Sequence, residues 1–314
     1  MLQDRRSGPQ EFCCAVSMRC KNGCPHGTVC DMRMSHWSRK ALVLCGGLLL
    51  SCEASESHLR VAARIQAPAI RECSGIVASR QFAGVFWVHN DSGNAPQLFA
   101  LDAAGRRLCT LDVQGVQNRD WEDLTLDDEG NLYVGDFGNN ANRRRDLEVL
   151  VIREPDPRDC AGEVQRVEVI RRIPFHFPEQ TQYPDPAVKN FDCEAIFWLD
   201  GSLYVFTKHR SDSRTVLYRL PEGDDTAAVR LGGFDAMGMV TAASVSRDDR
   251  WLVVLTYDYL HLFELQEGAA SLESLGPPLA TTHIQKMRER LAYHEDQART
   301  LRMAIAELGE FNGD

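Results

Sequence analysis

Glu122-Asp123-Leu124-Thr125-Leu126-Asp127-Asp128-Glu129-Gly130-Asn131-Leu132-Tyr133-Val134-Gly135-Asp136 is two short apolar runs joined by a tight polar turn. The runs are too short for helices and rich in the Leu, Tyr and Val that suit a pleated surface, while Asp-Glu-Gly-Asn supplies the glycine and Asx residues that close a hairpin. The stretch reads as an antiparallel β-hairpin that opens and closes on an acid.

Working outward, the same unit recurs. Glu72-Cys73-Ser74-Gly75-Ile76 leads to Phe86-Trp87-Val88-His89-Asn90-Asp91, and Glu194-Ala195-Ile196 leads to Leu203-Tyr204-Val205-Phe206-Thr207-Lys208. Thr241-Ala242-Ala243, with Thr in place of the acid, leads to Trp251-Leu252-Val253-Val254-Leu255-Thr256. Further strands are predicted at Gln97–Asp102, Leu147–Arg153, Val164–Ile173, Val216–Leu220 and Leu260–Leu265. A repeat of this length, all short strands, predicts an all-β β-propeller of five four-stranded blades, with six as the alternative.

The C-terminal stretch reads in two ways. Glu289–Tyr293 followed by Thr300–Ile305 continues the repeat as a last blade, with Leu59–Ile65 giving it an outer strand so that the ring closes. Ile284, Met287, Leu291, Ala298, Leu301, Ile305 and Leu308 recur at helical spacing, which predicts a helical tail instead.

At the other end, Arg39 and Lys40 precede the ten apolar residues Ala41–Leu50, followed by Ser51 and Cys52. Ten residues are too few for a membrane-spanning helix, which needs about 20. A basic flank, a short apolar stretch and a small residue before the cut form a signal peptide over 34–51. Leu49-Leu50-Ser51-Cys52 is similar to a bacterial lipobox, which implies lipidation of Cys52, with 52–57 as a tether and 58–314 as the propeller domain. A plain secretory signal cut a few residues later is the alternative. Such signals start near their initiator, so Met32 or Met34 is the expected start, and 1–33 are expected to be over-annotated or disordered. Cys13, Cys14, Cys20, Cys24 and Cys30 lie there, without the paired spacing of a metal knuckle.

From Cys52 on, 28 basic residues face 42 acidic ones, a formal charge near −14. This argues against nucleic acid or anionic lipid as partner and suits a cation. The expected state is a monomer at the cell envelope, on the periplasmic face of the outer membrane, held by its lipid alone and binding a small molecule or an envelope protein. In an oxidising compartment Cys73, Cys109, Cys160 and Cys193 allow up to two disulfides, with three pairings open.

In a propeller the ends of the innermost strands converge on the axis, so repeated acids gather there. The expected metal ligands are Glu72, Asn90, Asp91, Glu122, Asp136, Asn139 and Glu194, joined by Asp120 and Asp192, each two residues before its glutamate. An all-oxygen set suits Ca²⁺ better than Zn²⁺. The loops His89-Asn90-Asp91-Ser92-Gly93 and Asp136-Phe137-Gly138-Asn139-Asn140 set side-chain oxygens beside glycine; turn formation alone is the competing reading. Arg143, Trp121 and Lys208 are the expected ligand-binding residues, with Arg143-Arg144-Arg145 as a basic cluster over the acidic mouth. Asp120, Glu122 and His209 are the candidate acids and bases of a catalytic site. GxSxG, HExxH, a phosphate-cradling glycine loop and full EF-hand spacing are all missing.

The elements Glu72-Cys-Ser-Gly-Ile76, His89-Asn-Asp-Ser-Gly93, Asp120-Trp-Glu-Asp-Leu124 and Gly135-Asp-Phe-Gly-Asn-Asn140 resemble the signatures of a group of bacterial β-propeller lipoproteins. More distantly the chain is similar to the SdiA-regulated and esterase-like phytase-like propeller families, which carry comparable Ser-Gly-Ile and Asp-x-Glu-Gly elements; the glycine after the second glutamate is Asp123 here. The resemblance spans about Glu72 to Thr256 and implies the fold and bound Ca²⁺. The function expected is therefore a lipoprotein that binds a ligand or partner at a Ca²⁺-bearing channel mouth. The alternative is a Ca²⁺-dependent hydrolase of a phosphoester, ester or lactone.

Overall fold

A computed structural model describes residues 59–160, 164–185, 188–223, 225–266, 268–273, 275–284 and 302–306. Its strands form four blade sheets in chain order, three of four antiparallel strands and one of four antiparallel strands with a fifth added in parallel, besides a two-stranded sheet. Blade 1 runs from the inside out as β2 (Cys73–Ala78), β3 (Val85–Asn90), β4 (Gln97–Asp102) and β5 (Arg107–Gln114). Blade 2 is β6 (Trp121–Leu126), β7 (Asn131–Asp136) and β8 (Leu147–Arg153), completed by β10 (Arg171–Phe175); between these last two the chain detours through β9 (Val164–Glu168), which joins blade 1 parallel to β5. Blade 3 is β11 (Asp192–Leu199), β12 (Ser202–Lys208), β13 (Arg214–Arg219) and β14 (Val229–Asp235). Blade 4 is β15 (Val240–Val245), β16 (Trp251–Thr256), β17 (Tyr259–Glu264) and β18 (Ala280–His283). The fold is an all-β propeller.

The blades stack face to face, which is why their strands read as nearly unbroken apolar runs and not as strict alternation. Residues of one parity face one neighbouring blade, those of the other parity face the next, and both faces are dry. In β4, Leu98 and Ala100 pack in the core between blades 1 and 2, whereas Phe99 and Leu101 belong to the cluster on the far side of blade 1. Tyr133, Phe177 and Tyr218 fill the blade 2–3 interface, and Phe206, Phe234 and Phe263 the blade 3–4 interface. The inner strands consequently touch in succession, β2 with β6, β6 with β11 and β11 with β15.

Four blades, not five or six, are formed among the described residues. What the chain ends provide is a two-stranded sheet, in which β1 (Leu59–Arg64) pairs antiparallel with β19 (Arg302–Ala306). The expected alliance of the N-terminal strand with the last segment is therefore present in reduced form. No α-helix occurs among the described residues; residues 285–301, where the helical tail was expected, lie outside them, as do the start site, the signal segment, Cys52 and the tether. The single strand expected over Val164–Ile173 is broken into β9 and β10, which go to different blades.

That detour is tied down covalently. Cys109 on β5 is bonded to Cys160, just before β9, at a sequence separation of 51, while Cys73 and Cys193 are buried free thiols. A crosslink over a loop of that length is worth roughly 2–4 kcal/mol by removing freedom from the unfolded chain. Cys109→Ser with Cys160→Ser should lower unfolding stability in urea by about that amount, and the difference should vanish under strong reductant; an unchanged midpoint would mean the disulfide does not hold the detour.

Candidate functional site

Each inner strand begins with the same irregularity. The pairing skips between Cys73 and Ile76, Trp121 and Leu124, Cys193 and Ala195, and Val240 and Ala242. One extra residue at the inner-strand start is a β-bulge, which turns a side chain out of the sheet plane. By register the residues at the bulge are Ser74, Glu122, Glu194 and Thr241, so the equivalent of Glu122 in blade 1 is Ser74. Glu72 corresponds instead to Asp120 and Asp192.

This register decides which acids meet. Asp91, Asp120 and Glu122 each offer an oxygen within 4.8 Å of the others, and so do Glu122, Asp192 and Glu194; Glu122 belongs to both groups. Glu72 belongs to neither: it is exposed and its Oε2 accepts from Asn94 Nδ2 at 2.9 Å. Glu122 is 3% exposed, and the hydrogen bond it receives, from Ser74 Oγ, is long at 3.5 Å. Gly138 leaves the space beside it, since a Cβ there would come within 2.2 Å of Glu122 Oε1 and 2.4 Å of Asp120 Oδ2.

The two groups differ in how their charge is met. Asp192 takes Arg210 at 2.7 Å and the Asn139 N–H at 2.7 Å, and Glu194 takes Lys208 at 2.7 Å. Lys208 is wholly buried and also donates to Tyr257 Oη at 2.9 Å; burial alone pushes its ammonium down, but Glu194 and the Tyr257 oxygen outweigh that and raise it. Asp192 and Glu194 thus form a buried ion-pair cluster with Arg210 and Lys208, within which burial still raises the Asp192 carboxyl against Arg210, the Asn139 N–H and Lys208. In the outer group, burial raises the Glu122 carboxyl well above its ordinary range, reinforced by Glu194, Asp120, Asp192 and Asp91. Burial also raises Asp120, with Asp192 and Asp136 adding to it while Ser92 and Arg144 oppose it. Asp91 and Asp120 are half-buried, so this group is open to solvent.

Several expected ligands hold the scaffold instead. Asn90 Oδ1 accepts from the Arg71 and Glu72 N–H groups at 2.9 and 3.1 Å. Asn139 Oδ1 accepts from the Arg144 N–H at 2.9 Å. Asp136 takes Arg144 at 2.9 Å and the Asp120 N–H at 3.3 Å. For these three, turn formation is the role their contacts show. Trp121 is buried in the blade 1–2 core, out of a ligand's reach. His209 is bonded to Asp212 at 2.8 Å, and burial holds its ring below the usual range. Arg143 is exposed; its neighbour Arg144 is the residue that braces the loop, donating also to Gly138 O at 3.0 Å. Arg210 and Tyr257 escaped sequence reasoning because no repeat marks them, and Arg144 was legible only as a member of the basic cluster. Ser74 was legible as part of Ser74-Gly75-Ile76, but its role appears only once the bulge fixes the register.

Asp123, where the distant families have glycine, is structural. Its Oδ1 accepts from the Leu124 N–H at 2.9 Å, its Oδ2 from the Ile196 N–H at 3.0 Å, and the Ala243 N–H also bonds to it, which joins blades 2, 3 and 4 at the axis. Gly75 faces this post, and a Cβ at 75 would lie 2.9 Å from Asp123 Cα.

No family model matches the chain, and no curated protein sequence does. Among solved structures it is similar to the Dos1 propeller (10% identity, TM-score 0.36, covering 73% of this chain and 50% of that one). It is also similar to the hydrazine synthase of Kuenenia stuttgartiensis (10% identity, TM-score 0.38, covering 71% and 58%). The chain thus spans little more than half the length of these neighbours.

Removing one member of a buried ion pair strands the other and costs about 3–5 kcal/mol. Lys208→Met should therefore destabilise the domain by that order in urea unfolding, and adding Glu194→Gln should recover part of the loss. A Lys208→Met protein as stable as wild type would contradict the ion-pair cluster.

Proposed function

We propose that the outer group of carboxylates, Asp91, Asp120 and Glu122, binds Ca²⁺ and presents it at the channel mouth to a ligand or partner. The observation that carries this reading is Glu122: a buried carboxylate aimed at two others, with one long hydrogen bond. Crowded like charges out of water are unfavourable unless a proton or a cation compensates them. Lys208 and Arg210 stand against Asp192 and Glu194, while Glu122 is raised by the carboxylates of both groups. Its donors are all hard oxygens, with no imidazole or thiolate among them, which suits Ca²⁺ and not Zn²⁺. Three carboxylates supply fewer oxygens than the six to eight Ca²⁺ takes. The half-buried side of the group leaves the remaining positions to water or to an oxygen of the bound molecule.

The same reading makes the protein an exported lipoprotein of the cell envelope, held by acylated Cys52. The Cys109–Cys160 disulfide supports an oxidising compartment, and the acidic body supports a partner other than nucleic acid. Membrane partitioning of the full chain that survives Cys52→Ser would remove the anchor.

A hydrolytic role on the same cation is the second reading, favoured by the raised Glu122 carboxyl, a group able to hold or release a proton beside a polarised oxygen. His209, turned to Asp212, has no contact with Asp120 or Glu122 among the described residues and takes no part in it.

Millimolar Ca²⁺ should raise the melting temperature above that in chelator, by about 3 kcal/mol of linkage at a hundredfold excess over Kd. Asp120→Asn and Glu122→Gln should each abolish the shift. An identical melt with and without Ca²⁺ would overturn the proposal. Turnover of phosphoester, ester or lactone substrates that needs both Ca²⁺ and Glu122 would establish the hydrolase; with Ca²⁺ bound and no turnover, the protein is a binding module.

A further inference from the structure

Beside the mouth, on the outer side of blade 2, lies a cleft of about 530 Å³ that none of the reasoning above uses. It lies within the range of small-molecule sites, about 300–1,000 Å³. Its floor is Leu147, Pro174 and Phe175, and its rim carries Arg119, Arg145, His176, Tyr183 and Thr226 together with the carboxylates Asp146 and Glu148.

The arginines of this face are not alike. Arg119 is paired with Asp146, Arg144 with Asp136 and Asp146, and Arg172 with Glu148. Arg145 has no carboxylate partner among the described residues. Its guanidinium carbon lies 3.8 Å from the centre of the Tyr183 ring, so the plane is stacked on an aromatic face and held in orientation with its N–H fork available. Among the residues that line the cleft, Asp146 is held by Arg119 and Glu148 by Arg172 from outside it, which leaves Arg145 as the lining guanidinium without a carboxylate partner among the described residues. A pre-oriented planar fork is the group that binds oxyanions in bidentate fashion. Across the rim, Thr226 Oγ1 and His176 Nδ1 are 3.3 Å apart, a second polar point facing the same space. Between these polar points is an apolar floor, which gives an organic body somewhere to lie.

We infer that this cleft is a binding site for a small organic oxyanion, a phosphate ester or carboxylate with an apolar body, whose anionic group is gripped by Arg145 and whose body lies on Leu147, Pro174 and Phe175. The site is independent of the cation group, since none of the cation-group residues lines it.

Isothermal titration of the full-length protein in excess chelator tests this, with phenyl phosphate and benzoate as the probes, inorganic phosphate as the head group alone and benzyl alcohol as the body alone. Wild type should bind at least one of the two aromatic anions saturably, and more tightly than inorganic phosphate, and should not bind benzyl alcohol. Which of the two binds distinguishes phosphate from carboxylate recognition. Arg145→Ala and Arg145→Lys should each weaken that binding at least tenfold, the lysine because it keeps the charge and loses the fork. Arg250→Ala, an exposed arginine of blade 4, should leave it unchanged. All variants should melt as wild type does, because Arg145 is exposed. The inference is overturned if wild type binds neither aromatic anion, if Arg145→Ala binds within twofold of wild type, or if inorganic phosphate binds as tightly as phenyl phosphate. Chelator removes the cation from every arm, so failure here leaves the Ca²⁺ reading standing, and the converse holds.

Discussion

One extra residue at the start of every inner strand sets the chemistry of this protein. A bulge repeated in four blades turns Ser74, Glu122, Glu194 and Thr241 toward a common axis, and the blade stacking that brings the inner strands together makes those side chains neighbours whatever their distance in sequence. Two carboxylates at bulges, with Asp120 and Asp192 two residues earlier and Asp91 from the end of blade 1, are more negative charge than a dry axis tolerates unaided. Everything else near the axis is a response to that crowding.

The responses are of three kinds. Lys208 and Arg210 neutralise the Glu194 and Asp192 side at hydrogen-bond distance, so that side behaves as buried structure. Asp123 faces away from the crowd and receives backbone N–H groups from three blades, so a further carboxylate becomes a structural post. On the Asp91, Asp120 and Glu122 side, Asp91 accepts the Ser92 N–H and Asp120 feels Ser92 and Arg144, and it is the side that opens to solvent. Charge on this axis is therefore divided into a closed half that supports the fold and an open half where we propose the cation binds.

Much of this was legible in the sequence, for physical reasons that differ by element. Hairpins such as Leu124–Val134 announce themselves because strand, turn and strand are local and each has its own residue chemistry. Apolar runs such as Leu98–Leu101 were recognisable as strands, but only the structure shows their two faces packing against different blades. The convergence of Glu122 with Glu194 followed from recognising the repeat. What was misplaced came from register: counting from the first acid of each unit equates Glu72 with Glu122, whereas the bulge equates Ser74 with Glu122 and leaves Glu72 in solvent. A one-residue insertion in the pairing is invisible to composition and periodicity. Asn90, Asp136 and Asn139 show the same limit, since an Asx side chain after a strand can bind a cation or the backbone with the same oxygen, and here it binds the backbone or an arginine. Blade number was overcounted because helical and strand spacing overlap in the last thirty residues.

The division of the axis into a half paired with Lys208 and Arg210 and a half open to solvent is most directly tested by infrared difference spectroscopy of the carboxyl C=O stretch. In cation-free protein a Glu122 carboxyl band, identified by its loss in Glu122→Gln, should persist to a higher pH than an ordinary glutamate allows, and should bleach when Ca²⁺ is added to wild type. A spectrum without that band, or one that Glu122→Gln and Ca²⁺ both leave unaltered, would contradict the account.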